Sequence, residues 1–324
     1  MLAVVVRSFG GPEVVEVADV PVPVPGPGQV RIRVVAAAVN PVDFATRSGA
    51  LHAAGLVPAG TVGLGWDVAG VVDAVGAGAP FAVGAPFAVG AEVVGLRDRL
   101  PTLGAQAEFV VLDASAVAPA PRTVSLAAAS TVPLGGLTAL QALDLLGVPA
   151  GGSVLVTGAG GSVGGFAVQL AVARGLRVVA LASDEARVRG YGATWVFPRG
   201  ADVGAAVRAV VPGGVDGVVD AAALGVEALD AVRGGGSFVA VLGSATPVAL
   251  RGVRVSNVWI RADGRQLASL VDMVDAGALS VAEPETWPLE EVARAHDGVR
   301  RRLVLVPPAA QGRLPRGSLA TTAS

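Results

Sequence analysis

Short runs of alternating or β-branched apolar residues fill the first 120 or so positions of the chain, with little helical patterning among them. Glycine and proline separate the runs, and Pro21–Gly28 reads as a stiff extended connector, because each proline fixes φ and lacks an N–H donor. The predicted strands are Leu2–Ser8, Glu13–Val20, Gln29–Ala38, Asp67–Val75 and Ala107–Leu112. Several short strands punctuated by turn residues predict a compact β-barrel.

Beyond about Arg122 the pattern changes to strands and helices in alternation. Apolar positions at helical spacing predict a helix over Pro133–Leu146. The predicted elements that follow are strand Ser153–Thr157, helix Ser162–Arg174, strand Arg177–Leu181, helix Asp184–Arg189, strands Gly217–Asp220, Ser237–Leu242 and Gly252–Ile260, and helix Gly264–Asp275. This alternation predicts an α/β fold with a parallel sheet and right-handed crossovers.

Two segments have unusual composition. Residues 307–324 are rich in Pro, Gly, Ser and Thr and are expected to be disordered. Pro80–Ala91 contains the hexapeptide PFAVGA twice, which we interpret as a duplication within a surface loop.

Composition excludes several classes of function. The 324 residues have a formal net charge of −2, so neither nucleic acid nor an anionic membrane is an expected partner. The uncharged run Leu145–Ala173 is long enough to span a bilayer, but its many glycines break it into turns. Leu2–Val6 is too short for a signal peptide, and a cytoplasmic location is expected. Cysteine and lysine are both absent, which excludes thiolate zinc ligands and a Schiff-base lysine.

A glycine-rich loop lies between the predicted strand Ser153–Thr157 and the helix that follows it. Gly158, Gly161 and Gly164 give the spacing G-x-x-G-x-x-G rather than the stricter G-x-G-x-x-G, because Val163 occupies the last glycine position of the stricter pattern. Ordinary turns are an alternative in a chain with 45 glycines. The position between strand and helix favours a dinucleotide site, in which the N–H groups of Ser162, Val163 and Gly164 face a diphosphate.

The residues that follow the predicted strand Arg177–Leu181 bear on the choice between NAD and NADP cofactors. An NAD enzyme commonly has a carboxylate there, to accept a hydrogen bond from the ribose 2′-OH. Here Ser183 comes first, with Arg187 and Arg189 close behind, and this set suits the 2′-phosphate of NADPH. The carboxylate of Asp184, one position after Ser183, favours NAD instead. For Arg187, the alternative to a phosphate ligand is a place on the solvent-exposed face of a helix. NADPH is the favoured cofactor.

Motifs spread along the chain add up to a family resemblance. They are Asn40-Pro41-Val42-Asp43, Gly65 to Val72 (GWDVAGVV), Leu134 to Leu143 (LGGLTALQAL), the glycine loop with Ala167 to Ala171 (AVQLA), and Pro288 to His296 (PLEEVARAH). Together they resemble the zinc-free quinone oxidoreductase branch of the medium-chain dehydrogenases, from residue 1 to about 306.

The resemblance implies a GroES-like substrate domain, residues 1–121 completed by 253–306, with a Rossmann domain, residues 122–252, inserted. It also implies a homodimer joined by strands near Gly252–Ile260. By the same analogy Asn40, Thr138, Leu242 and Gly243 border the nicotinamide. Arg302 is placed near a cofactor phosphate.

The chain departs from family patterns at several positions. Zinc-dependent relatives carry a cysteine ligand beside the position of Asn40, and a separate four-cysteine site, which this sequence cannot form. Ala45 stands where some quinone reductases have a tyrosine, and Arg199 where another tyrosine usually lies near the adenosine. A surface or lid role is favoured for His52 over proton donation.

Three other candidate residues are also given structural roles. His296 is interpreted as part of a C-terminal helix, and turn or capping roles are favoured for Asp43 and Asp67 over acid catalysis.

Three functions remain open from the sequence. The leading hypothesis is an NADPH-dependent reductase of a small apolar quinone or α,β-unsaturated carbonyl. The second is a trans-acting enoyl or imine reductase of a biosynthetic pathway. The third is an NADPH-binding redox sensor without turnover.

Overall fold

The computed structural model describes residues 1–78, 87–100, 103–297 and 302–313. Its strands are β1 Leu2–Val6, β2 Val15–Asp19, β3 Gln29–Ala38, β4 Val62–Gly63, β5 Asp67–Val75, β6 Glu92–Leu96, β7 Phe109–Asp113, β8 Val117–Pro119, β9 Ser153–Thr157, β10 Arg177–Leu181, β11 Trp195–Phe197, β12 Val215–Asp220, β13 Val232–Ala240, β14 Arg254–Asn257, β15 Glu285–Pro288 and β16 Leu303–Val306. Its α-helices are α1 Pro41–Arg47, α2 Ala50–Ala53, α3 Leu126–Ala129, α4 Pro133–Leu146, α5 Ser162–Ala173, α6 Glu185–Gly190, α7 Val203–Val210, α8 Val226–Asp230, α9 Gly264–Asp275 and α10 Val292–Ala295. Within these ranges, no helix combines the length and apolar character needed to cross a bilayer.

The chain packs into two compact units. The first comprises Met1–Leu134, Arg261–Ala276 and Val281–Ser324, and the second comprises Gly135–Ile260 and Gly277–Ser280. The second unit is therefore an insertion in the sequence of the first. The domain boundaries expected from the sequence, after residues 121 and 252, stay predictions.

The second unit contains a six-stranded sheet in the order β11-β10-β9-β12-β13-β14, and all its neighbouring strands run parallel. Every residue of β9 is buried, as expected for a parallel strand covered on both faces. Leu155, Val218 and Phe238 lie in its core. The sheet, together with the strand-rich first unit, confirms the predicted α/β fold class with an inserted Rossmann-type sheet.

Strand β12 begins at Val215, two residues before its predicted start, and two other strands of this sheet differ more from their predicted bounds. The expected strand Ser237–Leu242 begins at Val232 and ends at Ala240, since the glycines after Arg233 continue the strand through a register shift rather than forming a turn. The expected strand Gly252–Ile260 is confined to Arg254–Asn257, because only these residues pair with β13.

The first unit is built mainly from antiparallel strands. A seven-stranded sheet has the order β15-β16-β3-β5-β6-β8, with β7 also pairing with β3. A second sheet has the order β2-β1-β4. Strand β16 joins β3 through the pairing of Val304 with Ala38, so the last described strand completes a sheet begun early in the chain.

The two compositionally unusual segments are only partly described. Disorder was expected from residue 307 onward, but residues 308–313 form a 3₁₀ helix whose Ala310 is buried against Val35, Val71 and Val306, which explains its order. Residues 314–324 lie outside the described ranges. So do residues 79–86, which hold most of the PFAVGA duplication, whereas Phe87 in its second copy is buried in the core.

Candidate functional site

The glycine loop joins β9 to α5 in a tight turn. Gly158 has φ +60°, a left-handed conformation that favours glycine. A Cβ atom on Gly164 would lie 2.2 Å from the carbonyl oxygen of Gly158, so the first turn of α5 packs directly on the loop backbone. Gly158 and Gly164 are therefore required by the path of the chain itself.

The opposite face of the same loop is open. A Cβ atom on Gly160 would meet nothing within 4 Å, and one on Gly161 would meet only the Gly158 carbonyl oxygen, at 3.2 Å. Gly161 is the N-cap of α5 and has no side chain that could accept a hydrogen bond from the first N–H groups of the helix. The N–H groups of Ser162, Val163 and Gly164 precede the first intrahelical bond, which Gly165 makes to Gly161. This face fits an anionic group such as the diphosphate of a dinucleotide.

The loop lies at the point where the strand order of the sheet reverses. The chain builds outward from β9 to β11 and then returns to β12 on the other side of β9. In open parallel sheets, ligands bind outside the carboxyl ends of the strands at such a switch point. Topology and the open helix N-terminus therefore indicate the same place.

Asp220, at the end of β12, organises this switch point. Its buried carboxylate accepts a hydrogen bond from the Thr157 hydroxyl at 2.6 Å and from the N–H groups of Leu224 and Gly225 at 3.1 and 2.8 Å. The same loop holds Ala223 at φ +58°, an uncommon conformation for a residue with a side chain. Sequence reasoning missed this role, because Asp220 resembles any polar residue that ends a strand.

Helix α6 begins just after the end of the second strand, β10. Asp184 is its N-cap, and the carboxylate accepts a hydrogen bond from the Arg187 backbone N–H at 3.0 Å. Ser183 is exposed. The side chain of Arg187 donates from Nε to the Tyr191 hydroxyl at 2.8 Å. The Asp184 carboxylate thus caps α6, and this role accounts for its presence without a hydrogen bond to the ribose of a cofactor.

Arg199 lies on the same edge of the sheet as Ser183. Leu181 pairs in parallel with Phe197. Ser183 follows Leu181 by two positions, and Arg199 follows Phe197 by two positions. Arg199 is exposed. Ser183 and Arg199 thus both follow the carboxyl ends of neighbouring parallel strands, which lie about 5 Å apart.

The other predicted residues of this unit also lie near carboxyl ends of strands or beside the loop. Leu242 and Gly243 come after the end of β13, and Leu242 is half exposed. Thr138 is buried on α4. A Cβ atom on Gly135, one turn earlier in that helix, would lie 2.5 Å from Oγ of Ser162, so α4 starts against the start of α5.

Asn40 and Arg302 belong to the first unit. Asn40 is the N-cap of α1, and its Nδ2 donates to Oδ2 of Asp67 at 2.8 Å. The other oxygen of Asp67 accepts from the Leu134 backbone N–H at 2.5 Å. Arg302 is partly buried and precedes β16. The structure thus gives Asp67 a fixed role in holding the Asn40 amide.

Asp43 is the second buried carboxylate of this cluster. It accepts hydrogen bonds from the backbone N–H groups of Asn40 and Gly65, which confirms the expected capping role. Burial raises the pKa of Asp43 to about 7 against the effect of these bonds. Burial likewise raises the pKa of Asp67 to about 7. Burial lowers the pKa of Arg97, which lies nearby, to about 10.

The two histidines are in structural positions. His52 stacks on Phe9 with ring centroids 5.0 Å apart, and its Nδ1 lies 2.8 Å from the Val57 carbonyl oxygen. His296 is buried edge-on to Phe44, and neither ring nitrogen has a hydrogen-bond partner among the described residues. Among the described residues, no group of three or more His, Cys, Asp or Glu side chains is arranged to hold a metal ion.

Two family models match the chain. The model described as alcohol dehydrogenase GroES-like domain matches residues 26–122. The model described as zinc-binding dehydrogenase matches residues 191–302.

Curated relatives match over longer stretches. An NADPH-dependent alkenal/one oxidoreductase of Arabidopsis thaliana is 32% identical over 306 residues, which cover 91% of this chain and 75% of the relative. A 2-methylene-furan-3-one reductase of Solanum lycopersicum is 32% identical over 263 residues. That match covers 78% of this chain but only 63% of the length of the relative.

Solved structures match almost the whole chain. The quinone oxidoreductase from Coxiella burnetii has a TM-score of 0.80 at 26% identity, covering 94% of this chain and 99% of that one. A mycobacterial protein solved in complex with NADPH has a TM-score of 0.80 at 29% identity, covering 95% and 100%. On the strength of these matches and of its own motifs, the chain belongs to the quinone oxidoreductase branch of the medium-chain dehydrogenase/reductase superfamily.

Proposed function

We propose that the chain is an NADPH-dependent oxidoreductase that transfers hydride to a quinone or an α,β-unsaturated carbonyl without a metal ion. The observation that carries this proposal is the open N-terminus of α5. There the N–H groups of Ser162, Val163 and Gly164 have no intrahelical acceptor, and Gly160 leaves space for a diphosphate beside them.

Three residues support NADPH over NADH. Ser183, Arg187 and Arg199 offer a hydroxyl and two guanidinium groups near the ends of β10 and β11, where a 2′-phosphate is expected. The Asp184 carboxylate, which favoured NAD, caps α6 instead. The relative named as NADPH-dependent and the neighbour solved with NADPH point the same way.

The class of acceptor rests on the relatives, which are named for alkenals, enones and quinones. A bound reduced nicotinamide supplies the hydride, and the protein contributes positioning and electrostatics. Negative charge develops on the acceptor oxygen, and an amide donor stabilises such charge without a dedicated acid. Asn40, whose amide is held by Asp67, is the residue we propose for this role. Thr138, Leu242, Gly243 and Arg302 stay predicted cofactor contacts.

The parallel sheet also bears on assembly. Among the described strands, β14 is the outermost on its side of the sheet and pairs only with β13. Exposed apolar side chains flank it at Leu250 and Trp259. We propose a homodimer through this edge, as the family resemblance implies.

The proposed reaction is tested by following NADPH absorbance at 340 nm with a panel of quinones, enones and imines. Oxidation by quinones or enones is the expected result. Turnover of imines alone would support the biosynthetic reductase. Binding without oxidation of any panel member would support the sensor instead.

Chelators are expected to leave the rate with the best acceptor unchanged. The chain has no cysteine, and its described residues form no cluster of metal ligands. The measurement is kcat before and after prolonged dialysis against 1,10-phenanthroline. Loss of activity that zinc restores would contradict a metal-free mechanism.

Arg187→Ala and Ser183→Ala are each expected to weaken NADPH binding by about 1–3 kcal/mol, because each removes a charge-assisted contact to the 2′-phosphate. Binding of NADH should hardly change. Isothermal titration with both cofactors measures the difference. Arg189→Ala is the matched control: the sequence grouped Arg189 with the 2′-phosphate residues, but the structure pairs it with Glu185 on the same helix at 2.7 Å, so it is not proposed as a phosphate ligand. Equal losses for NADPH and NADH would refute the placement of the 2′-phosphate.

A further inference from the structure

Two arginines of α6 have different partners. Arg189 lies 2.7 Å from a carboxylate oxygen of Glu185, one turn earlier, so its charge is paired. Arg187 donates from Nε to the Tyr191 hydroxyl at 2.8 Å, one turn later. A phenol hydroxyl, unlike a carboxylate, does not compensate the guanidinium charge. The two side chains therefore differ in what they can offer an anion, although they are two residues apart.

The bond from Arg187 to Tyr191 uses only the Nε edge of the guanidinium. The two Nη groups, which form the fork that binds phosphate oxygens, make no hydrogen bond within the described part of the chain. The guanidinium carbon also lies 5.8 Å from the centroid of the Tyr191 ring. Ring and hydroxyl together restrict the rotamers of a long side chain before any ligand binds.

Tyr191 is itself firmly placed. It is the C-cap residue of α6, and its backbone N–H donates to the carbonyl oxygens of Arg187 and Val188 at 3.2 Å. It is the only tyrosine in the chain. Its phenol projects back along the helix to the arginine, so the orientation of the guanidinium is set by the end of the same helix.

We infer that Tyr191 is a specificity-determining positioning residue, whose hydroxyl orients the Arg187 guanidinium toward the 2′-phosphate of the cofactor. The inference rests on the proposed function, in which Arg187 binds that phosphate. A preorganised arginine loses less side-chain entropy when it binds, and this favours the phosphorylated cofactor alone. NADH has no phosphate at this position and gains nothing from the arrangement.

The test uses Tyr191→Phe, which removes the hydroxyl but keeps the ring. Calorimetry on the full chain compares two probes, 2′,5′-ADP and 5′-ADP. We expect the affinity for 2′,5′-ADP to fall about three- to tenfold, the size of one hydrogen bond, while that for 5′-ADP is unchanged. The KM for NADPH should rise by the same factor at constant kcat. Arg189→Ala is the control and should leave both affinities unchanged.

The outcomes separate this inference from the proposed function. If Tyr191→Phe weakens both probes equally, or neither, while Arg187→Ala weakens 2′,5′-ADP alone, the positioning role of Tyr191 is wrong and the 2′-phosphate site stands. If Arg187→Ala also fails to discriminate between the probes, the phosphate site itself is misplaced. Unfolding curves of Tyr191→Phe that match wild type exclude general damage to α6 as the cause of a selective loss.

Discussion

Gly160→Ala is expected to raise the Kd for NADPH at least about tenfold, or 1.4 kcal/mol, while the protein stays as stable as wild type. The new methyl group meets nothing within 4 Å, so the fold accommodates it. It would occupy the open side of the loop, where we place the diphosphate. Calorimetry with NADPH and thermal unfolding of the same sample measure the two effects.

Gly164→Ala is the matched comparison for this variant. Its Cβ atom would lie 2.2 Å from the Gly158 carbonyl oxygen, so backbone has to move. We expect a loss of stability of about 1–3 kcal/mol as well as weaker cofactor binding. Unchanged NADPH affinity in Gly160→Ala would show that the diphosphate does not approach this loop.

His296→Leu is expected to increase the free energy of unfolding at pH 7 and to make the protein less sensitive to acid. Within the described part of the chain, the buried imidazole has no hydrogen-bond partner for either ring nitrogen, and an unsatisfied buried polar group costs about 1–3 kcal/mol. Burial, followed by the nearby charge of Arg47, lowers the pKa of His296 to about 4 from 6.5. The stability that comes from keeping this residue neutral is present above pH 6.5 and is lost as the pH falls toward 4.

The lowering of the His296 pKa from 6.5 to about 4 corresponds to about 3 kcal/mol of unfolding free energy, at roughly 1.36 kcal/mol per pKa unit. Asp43 and Asp67 act in the opposite direction, since their raised pKa values give stability that is lost as the pH rises from about 4 to about 7. Urea unfolding of wild type and His296→Leu at pH 4.5 and pH 7 therefore isolates the histidine. An identical pH dependence in both proteins would contradict this account.

Much of the second unit was predictable because its signals are local. Ser153–Thr157 is a short apolar run, a glycine loop follows, and helix α5 begins at Ser162 as expected. The start of β13 was missed, since glycines after Arg233 look like a turn when pairing with β12 is not known. The local sequence indicates which residues favour a strand, whereas the point at which a strand begins depends on its pairing with a neighbouring strand.

The polar partners that organise the candidate site were not predictable in the same way. Thr157 and Asp220 are 63 residues apart, and no spacing rule links them. Asn40 and Asp67 lie 27 residues apart, and the sequence favoured only a turn or cap for Asp67. In both cases a buried carboxylate is held by donors that meet only when the strands are assembled.

The return of β16 to β3 has a consequence for the newly made chain. Val304 pairs with Ala38, whereas the second unit comes almost entirely from the continuous stretch Gly135–Ile260. On the ribosome, the stretch Gly135–Ile260 emerges before β16, so at that stage β3 still has an unpaired edge at Ala37 and Ala38. An unpaired apolar edge invites contacts with other chains, so we expect this edge to be open to aggregation in the interval before β16 emerges.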